Sequence, residues 1–380
     1  DSLLYHMKGM CLRAIVRDKI NKLLGNKNAP QSEVLEIYNI IDECGEAFEE
    51  CRIINPSNEH GYISHIQILV NVIDFSYSIS RFKNKTDFLR NLNSWLQEKL
   101  DLAEELLDSM KLQTQLRMNN AYVEQCDLSL QELYENYSLV IEGWNNLLTK
   151  TITDKPIIRR SIIRAYVRRA KSWDTVDTKD IEKILKLIEE NIQEEPQKGN
   201  NIYLWFQAAR QSDRIDINTA IDKVSNWRAT SDMDESLYYL GVLHTIQAIE
   251  GTSISKIKAE KIIRELSERK RNAPYRTHCY EWFGNGYFLK RLVPYKNAIS
   301  RDDTNELIFN TELLEKVTGK ISFIKGPEAG NIELTCGLSA FFIPARGYGF
   351  SRDKDLNRNV IFYLGFSYDG LRAFDVEAVD

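Results

Sequence analysis

Between Lys155 and Trp173 the chain carries seven basic residues and no acidic one. Arg160, Arg164 and Arg168 recur every four residues, which puts them on one face of a helix. Arg159, Arg169 and Lys171 lie beside that face. Like charges at this spacing repel, so something must offset the cost. A phosphate backbone would do so, with Tyr166 or Trp173 available to stack on bases. Acidic stretches of the chain itself, such as residues 43–50 or 189–195, would do so too, and internal pairing is the plainer expectation.

A second cluster falls near the C-terminus. Phe341, Phe342 and Tyr348 could offer rings to unpaired bases, with Arg346 and Arg352 for phosphate. If residues 340–343 form a strand, Phe341 and Phe342 point to opposite faces. At most one of them can then be a surface platform, and aromatics in such runs are more often core.

Other chemistry finds little footing. His60 and His65 are five apart and do not share a helical face, and His278 beside Cys279 has no third ligand nearby in sequence. The six cysteines (Cys11, Cys44, Cys51, Cys126, Cys279 and Cys336) are scattered without paired spacing, which indicates reduced thiols rather than a zinc site or a disulfide framework. No Ser-His-Asp or Cys-His arrangement assembles from local pattern, and Glu104 and Glu105 read as helix surface. No glycine-rich phosphate loop with Lys-Ser/Thr is present. The expectation is a chain with no catalytic residue, cofactor or metal of its own.

Bulk composition narrows the class further. The chain has 380 residues, is 43% hydrophobic and carries a formal net charge of -5. It can bury one large core or two smaller ones, and it is not a globally basic nucleic-acid binder. No apolar run approaches the roughly 20 residues that a membrane span needs. The first residues, Asp1 to Tyr5, lack a secretory signal and an initiator Met, and read as a boundary inside a longer cytosolic polypeptide.

The elements that must position these residues change character along the chain. The first three-quarters are poor in Pro and Gly and carry apolar residues at three- and four-residue spacing. Ile181, Ile184, Leu185, Leu187 and Ile188 form one such stripe after Thr178, a candidate N-cap. Breaks near residues 25–32, 55–60, 150–156 and 194–201 read as helix-helix turns. Partial matches to the tetratricopeptide pattern recur: Cys44, Phe48, Cys51 and Pro56, then Tyr62; Trp205 with Ala208 and Ala209; Ala220, Val224 and Trp227; Leu237, Leu240, Gly241 and His244. Tyr280, Phe283, Gly284 and Tyr287 also fit it, but Gly284-Asn285-Gly286 is a strong turn signal and points to a hairpin. From Val317 five short β-rich runs follow, at residues 320–324, 331–335, 340–343, 360–364 and 371–376. The expected fold is mainly α, a tetratricopeptide-like helical solenoid over 1–275, then a β hairpin and a small oligonucleotide/oligosaccharide-binding (OB)-fold-like barrel over 276–380. Cold-shock barrels carry an aromatic strand where this chain reads Ala329-Gly330-Asn331-Ile332-Glu333-Leu334, which counts against that style of binding.

The last hundred residues resemble a known family. Val360 to Val376, with Leu364-Gly365-Phe366-Ser367 and the ending Ala373-Phe374-Asp375-Val376, is similar to the C-terminal signature of the sterile-alpha-motif-domain-containing protein nine family. Ile343-Pro344-Ala345-Arg346 and Phe283-Gly284-Asn285-Gly286 with Arg291-Leu292-Val293 match two further pieces of it. Asn285 stands where the family favours Lys, and Leu371 where it favours Pro. The resemblance implies large cytosolic antiviral proteins that suppress translation, with an Alba-like transfer-RNA nuclease domain and a signalling NTPase ahead of the repeats. It implies for this region a sensor, regulatory and scaffold role, with a protein partner or other domains of the same polypeptide on the repeats. RNA, bound by the Arg-rich helix and the barrel, is the alternative partner.

Overall fold

Apolar residues at helical spacing fold the chain as far as Arg269 into α-helices, and the period then switches to strands from Cys279. The computed structural model describes residues 1–57, 59–114, 120–151, 154–301, 307–346 and 349–379. The chain divides into two units, Asp1–Ser172 and Trp173–Asp380.

The first unit holds α1 (Ser2–Leu23), α2 (Gln31–Ile54), α3 (Glu59–Ile79), α4 (Lys85–Arg90), α5 (Ser94–Thr114), α6 (Asn120–Leu133), α7 (Tyr137–Lys150) and α8 (Lys155–Ala170). α1 packs on α2, α2 on α3, α5 on α6, α6 on α7 and α7 on α8, and α3 also touches α1, α5 and α6. Cys44, Phe48 and Cys51 of α2 are fully buried. Gly9 explains how closely α1 and α2 approach: a Cβ there would stand 2.5 Å from the Phe48 ring. Behind Phe48 lies His65, also buried, whose Nδ1 is 3.0 Å from the Arg52 guanidinium. Burial, with help from Arg52 and Lys99, pushes the His65 imidazole down to about 3.

The second unit begins with α9 (Thr178–Glu194), α10 (Gly199–Ala209), α11 (Ile217–Thr230), α12 (Asp234–Ile249) and α13 (Ser253–Arg269). Asp177, not Thr178, caps α9, its carboxylate accepting from the Lys179 amide at 2.8 Å. The apolar stripe of α9 is buried at Ile181, Ile184, Leu185 and Ile188. Trp205 is fully buried and meets Trp227 edge-on, with ring centres 5.2 Å apart.

Strands follow: β1 (Cys279–Phe283), β2 (Leu292–Pro294), β3 (Ile299–Arg301), β4 (Leu307–Phe309), β5 (Lys316–Gly326), β6 (Ala329–Leu334), β7 (Ser339–Phe342), β8 (Asn359–Ser367) and β9 (Gly370–Ala378). β1 and β2 form the antiparallel hairpin that the Gly284-Asn285-Gly286 turn calls for, with Trp282 opposite Val293. β3 and β4 make a separate two-stranded pair. β5, β6 and β7 run as a meander, β7 pairs in parallel with β9, β9 pairs with β8, and β8 returns to β5. That is a closed five-stranded barrel with OB-fold strand order. The first half of β8 pairs with β5, and its last residues pair with β1, so one strand serves both barrel and hairpin.

Helices and strands of this unit share a buried polar junction. Glu281 on β1 is 1% exposed, and Arg210, just after α10, is 5% exposed. The Tyr239 hydroxyl of α12 donates to Glu281 Oε1 at 3.1 Å, and Arg210 Nη1 lies 3.9 Å from the same oxygen. Arg210 also donates to the Leu292 carbonyl at 2.8 Å, and Phe206 stacks on Tyr239 at 3.7 Å. Burial raises the Glu281 carboxyl above its ordinary range, against the pull of Arg210 and the tyrosine hydroxyls.

Removing one partner of such a pair strands the other charge out of water. Glu281→Ala should cost about 3–5 kcal/mol in urea unfolding of the chain. An unchanged midpoint would show that the junction does not hold helices to sheet. In the first unit the sign for His65 is that of a depressed base. Its stabilising contribution is complete above the unfolded value of 6.5 and is lost as pH falls toward about 3. Urea midpoints taken from neutral pH downward should therefore fall, and His65→Gln should flatten that part of the profile.

Candidate nucleic-acid and partner surfaces

The Arg-rich stretch is α8, and two of its charges, Arg164 and Arg168, have partners inside the first unit. Arg164 donates to Glu132 on α6 through two parallel bonds, Nε to Oε1 and Nη2 to Oε2, each 3.0 Å. Arg168 bridges Glu132 and Asp74 on α3, each at 3.2 Å. Lys85 also pairs with Asp74. Glu132 is 3% exposed, so without these guanidinium groups it would be a stranded buried carboxylate.

At Arg164 and Arg168 the repulsion read from the sequence is thus offset by Glu132 and Asp74. Of the remaining basic positions, Arg159 is buried and Arg160 half-buried, and each has a partner. Arg169 is exposed, with its guanidinium 5.1 Å from the centre of the Tyr166 ring. Tyr166 itself is buried and presents no open face for a base. Lys171 is exposed and ends the helix at a φ of 71°.

On the barrel, strand alternation separates the two phenylalanines. Phe342 is 1% exposed and packs inward against Phe350, with ring centres 6.0 Å apart. As a surface residue it is corrected: it belongs to the barrel core, fitted against Gly330, where a Cβ would come within 2.4 Å of its ring. Phe341 faces outward but is half-buried, because the Arg372 guanidinium lies 4.9 Å from its ring centre. Arg346 and Arg352 are exposed, and Arg346 follows the backbone bond from Ala345 to the Pro327 carbonyl. Tyr348 lies outside the described residues.

Phe323 on β5 had no part in the sequence-based list. It is 49% exposed and sits at a register shift of the β5–β6 pair. In register across the outer face stand Phe323, Asn331, Phe341 and Arg372, one from each of four strands. Plain alternation from Ile321 would turn Phe323 inward; the adjacent apolar pair Phe323-Ile324 is the only sequence sign of the β-bulge that leaves Ser322 and Phe323 both outward. A cleft of about 280 Å³ lies between Arg210, Ser212 and Asp213 and the β1–β2 loop at 287–290, its rim joined by a 2.6 Å pair of Lys290 with Asp213.

Among the described residues no three His, Cys, Asp or Glu side chains are grouped to hold a metal ion, and no helix is long and apolar enough to cross a membrane. No protein-family model matches the chain, and no curated protein matches it either.

The ion pairs give a direct test of what α8 does. Arg164→Glu sets a second carboxylate against buried Glu132 and should cost about 3 kcal/mol, roughly 6–12 °C in the melting of a unit this size. RNA affinity should not change. A variant that melts like the parent but loses RNA binding would return α8 to the surface role.

Proposed function

We propose that the chain is a non-catalytic regulatory and scaffold module of a larger polypeptide, whose helices and barrel hold a protein partner or neighbouring domains of that polypeptide. The observation that carries this reading is the Glu281–Arg210–Tyr239 junction. It ties α10, α12 and β1 into one core, so a load on the barrel is a load on the helices. Aromatic contacts extend the tie, with Tyr238 of α12 meeting Tyr280 and Tyr368 at 6.0 and 5.1 Å. A module that relays contact rather than chemistry needs such stiffness. The resemblance of the last hundred residues to the sterile-alpha-motif-domain-containing protein nine family supports the same role in a cytosolic signalling NTPase protein.

A second reading has its own observation. The row of Phe323, Asn331, Phe341 and Arg372 lies across the face that OB-folds use for single strands, with Lys325 and Arg346 exposed. In this reading the barrel reads RNA and α8 does not.

One titration separates the two. Single-stranded RNA would be added to the chain from low to physiological salt, beside Phe323→Ala and an Arg160, Arg164, Arg168 to Glu triple variant. No binding at low salt is the expected result for the scaffold. Binding that falls steeply with salt and drops about tenfold in Phe323→Ala would favour the barrel as an RNA reader.

A further inference from the structure

The helix α1 is apolar on two opposite faces. One face carries Gly9, Val16, Ile20 and Leu23 into the core of the first unit. The other carries Leu3, Leu4, Met7, Met10, Cys11 and Ile15, all exposed, with Leu4 at 65% and Met7 at 55%. The spacing of this outer set is regular. Leu4, Met7, Cys11 and Ala14 recur by three, four and three residues, as the a and d positions of a helix-pairing seam do. Leu3, Met10 and Ile15 line its two sides. From Leu3 to Ile15 the seam runs about 18 Å, and it stops at Asp18, which falls in line with it.

An apolar stripe along a helix normally packs against another element, and the inner stripe of α1 does so on α2. The seam's small residues, Cys11 and Ala14, allow close approach of another backbone. Its flanks carry charge of one sign: Lys8 lies on one side and Arg17 on the other, both exposed. Across α1 there are five basic residues and one acidic. We infer that the outer face of α1 is a docking seam for an amphipathic partner helix whose apolar stripe is bordered by Glu or Asp.

Two other occupants fit less well. A second copy of α1 would bring Lys8 and Arg17 against the same cations, a like-charge arrangement that e and g positions select against. A membrane surface favours a helix with a wide polar face opposite its apolar one. The opposite face of α1 is packed on α2, with Gly9 pressed to the Phe48 ring.

The probe is a dye-labelled helical peptide of about 20 residues, with Leu at its a and d positions and Glu at e and g. Its twin carries Lys in place of each Glu. Anisotropy titrations with the full chain should show the Glu peptide binding and the Lys peptide binding at least about tenfold more weakly. Met7→Asp, at an exposed position, should keep the circular dichroism and melting of the parent and lose about tenfold in affinity for the Glu peptide. Lys8→Glu with Arg17→Glu should reverse the preference between the two peptides. No binding of either peptide, or equal binding of both, would overturn the inference. So would self-association in sedimentation that Met7→Asp abolishes, or capture by anionic vesicles in place of the peptide.

Discussion

The second unit depends on a carboxylate taken out of water. Glu281 sits in the middle of β1, a strand bordered by β2 on one side and β8 on the other, with helices over its face. Burying a carboxylate is costly unless opposite charge and hydrogen bonds meet it. Tyr239 on α12 and Arg210 just after α10 both reach Oε1, while Oε2 is buried without a hydrogen-bond partner among the described residues, and Arg210 also satisfies the Leu292 carbonyl of the neighbouring strand. Each of these groups would be costly alone. Together they fix where helices end and sheet begins, because any other packing would strand one of them.

The first unit uses the same logic with a different outcome. Glu132 is buried on α6, and the arginines that neutralise it come from a turn-by-turn row on α8. What reads in sequence as a basic track is, in the fold, the cationic half of an internal pair. The helix can still lie near the surface, since Arg164 reaches inward from an exposed position. Long stems let such side chains carry charge to a buried site while their own backbone stays outside.

Much of the architecture was legible in sequence, and the limits have physical causes. Period three-and-four patterns gave the helices, and the turn chemistry of Gly284-Asn285-Gly286 separated a hairpin from a competing helix template. The cost of spacing Arg160, Arg164 and Arg168 by four residues was also readable. That acidic residues of the chain offset it was the plainer expectation; that Glu132 and Asp74 do so was not readable, because they lie 32 and 94 residues from the arginines they meet. Alternation announced that Phe341 and Phe342 diverge but could not say which faced inward; that depends on the cavity opened by Gly330 across the ladder. Glu281, set among aromatics, gave no sign of its partners, and Phe323 was hidden by a bulge that breaks the alternation.

The closed barrel also settles how little sheet edge this unit presents. Closure leaves β5, β6, β7, β8 and β9 paired on both sides over part of their length, and the open edge of the larger sheet falls to β2, three residues long and ending at Pro294. A short edge with a terminal proline is a poor template for an added strand. The narrowest seam is that between β7 and β9, held in register at Ala340 with Leu371 and Phe341 with Arg372. The Arg372 guanidinium lies over the Phe341 ring at that point and on Asp369 beyond it. Parting this seam would create two fresh edges at once, which makes a stacked arginine and phenylalanine the guard against edge-to-edge aggregation.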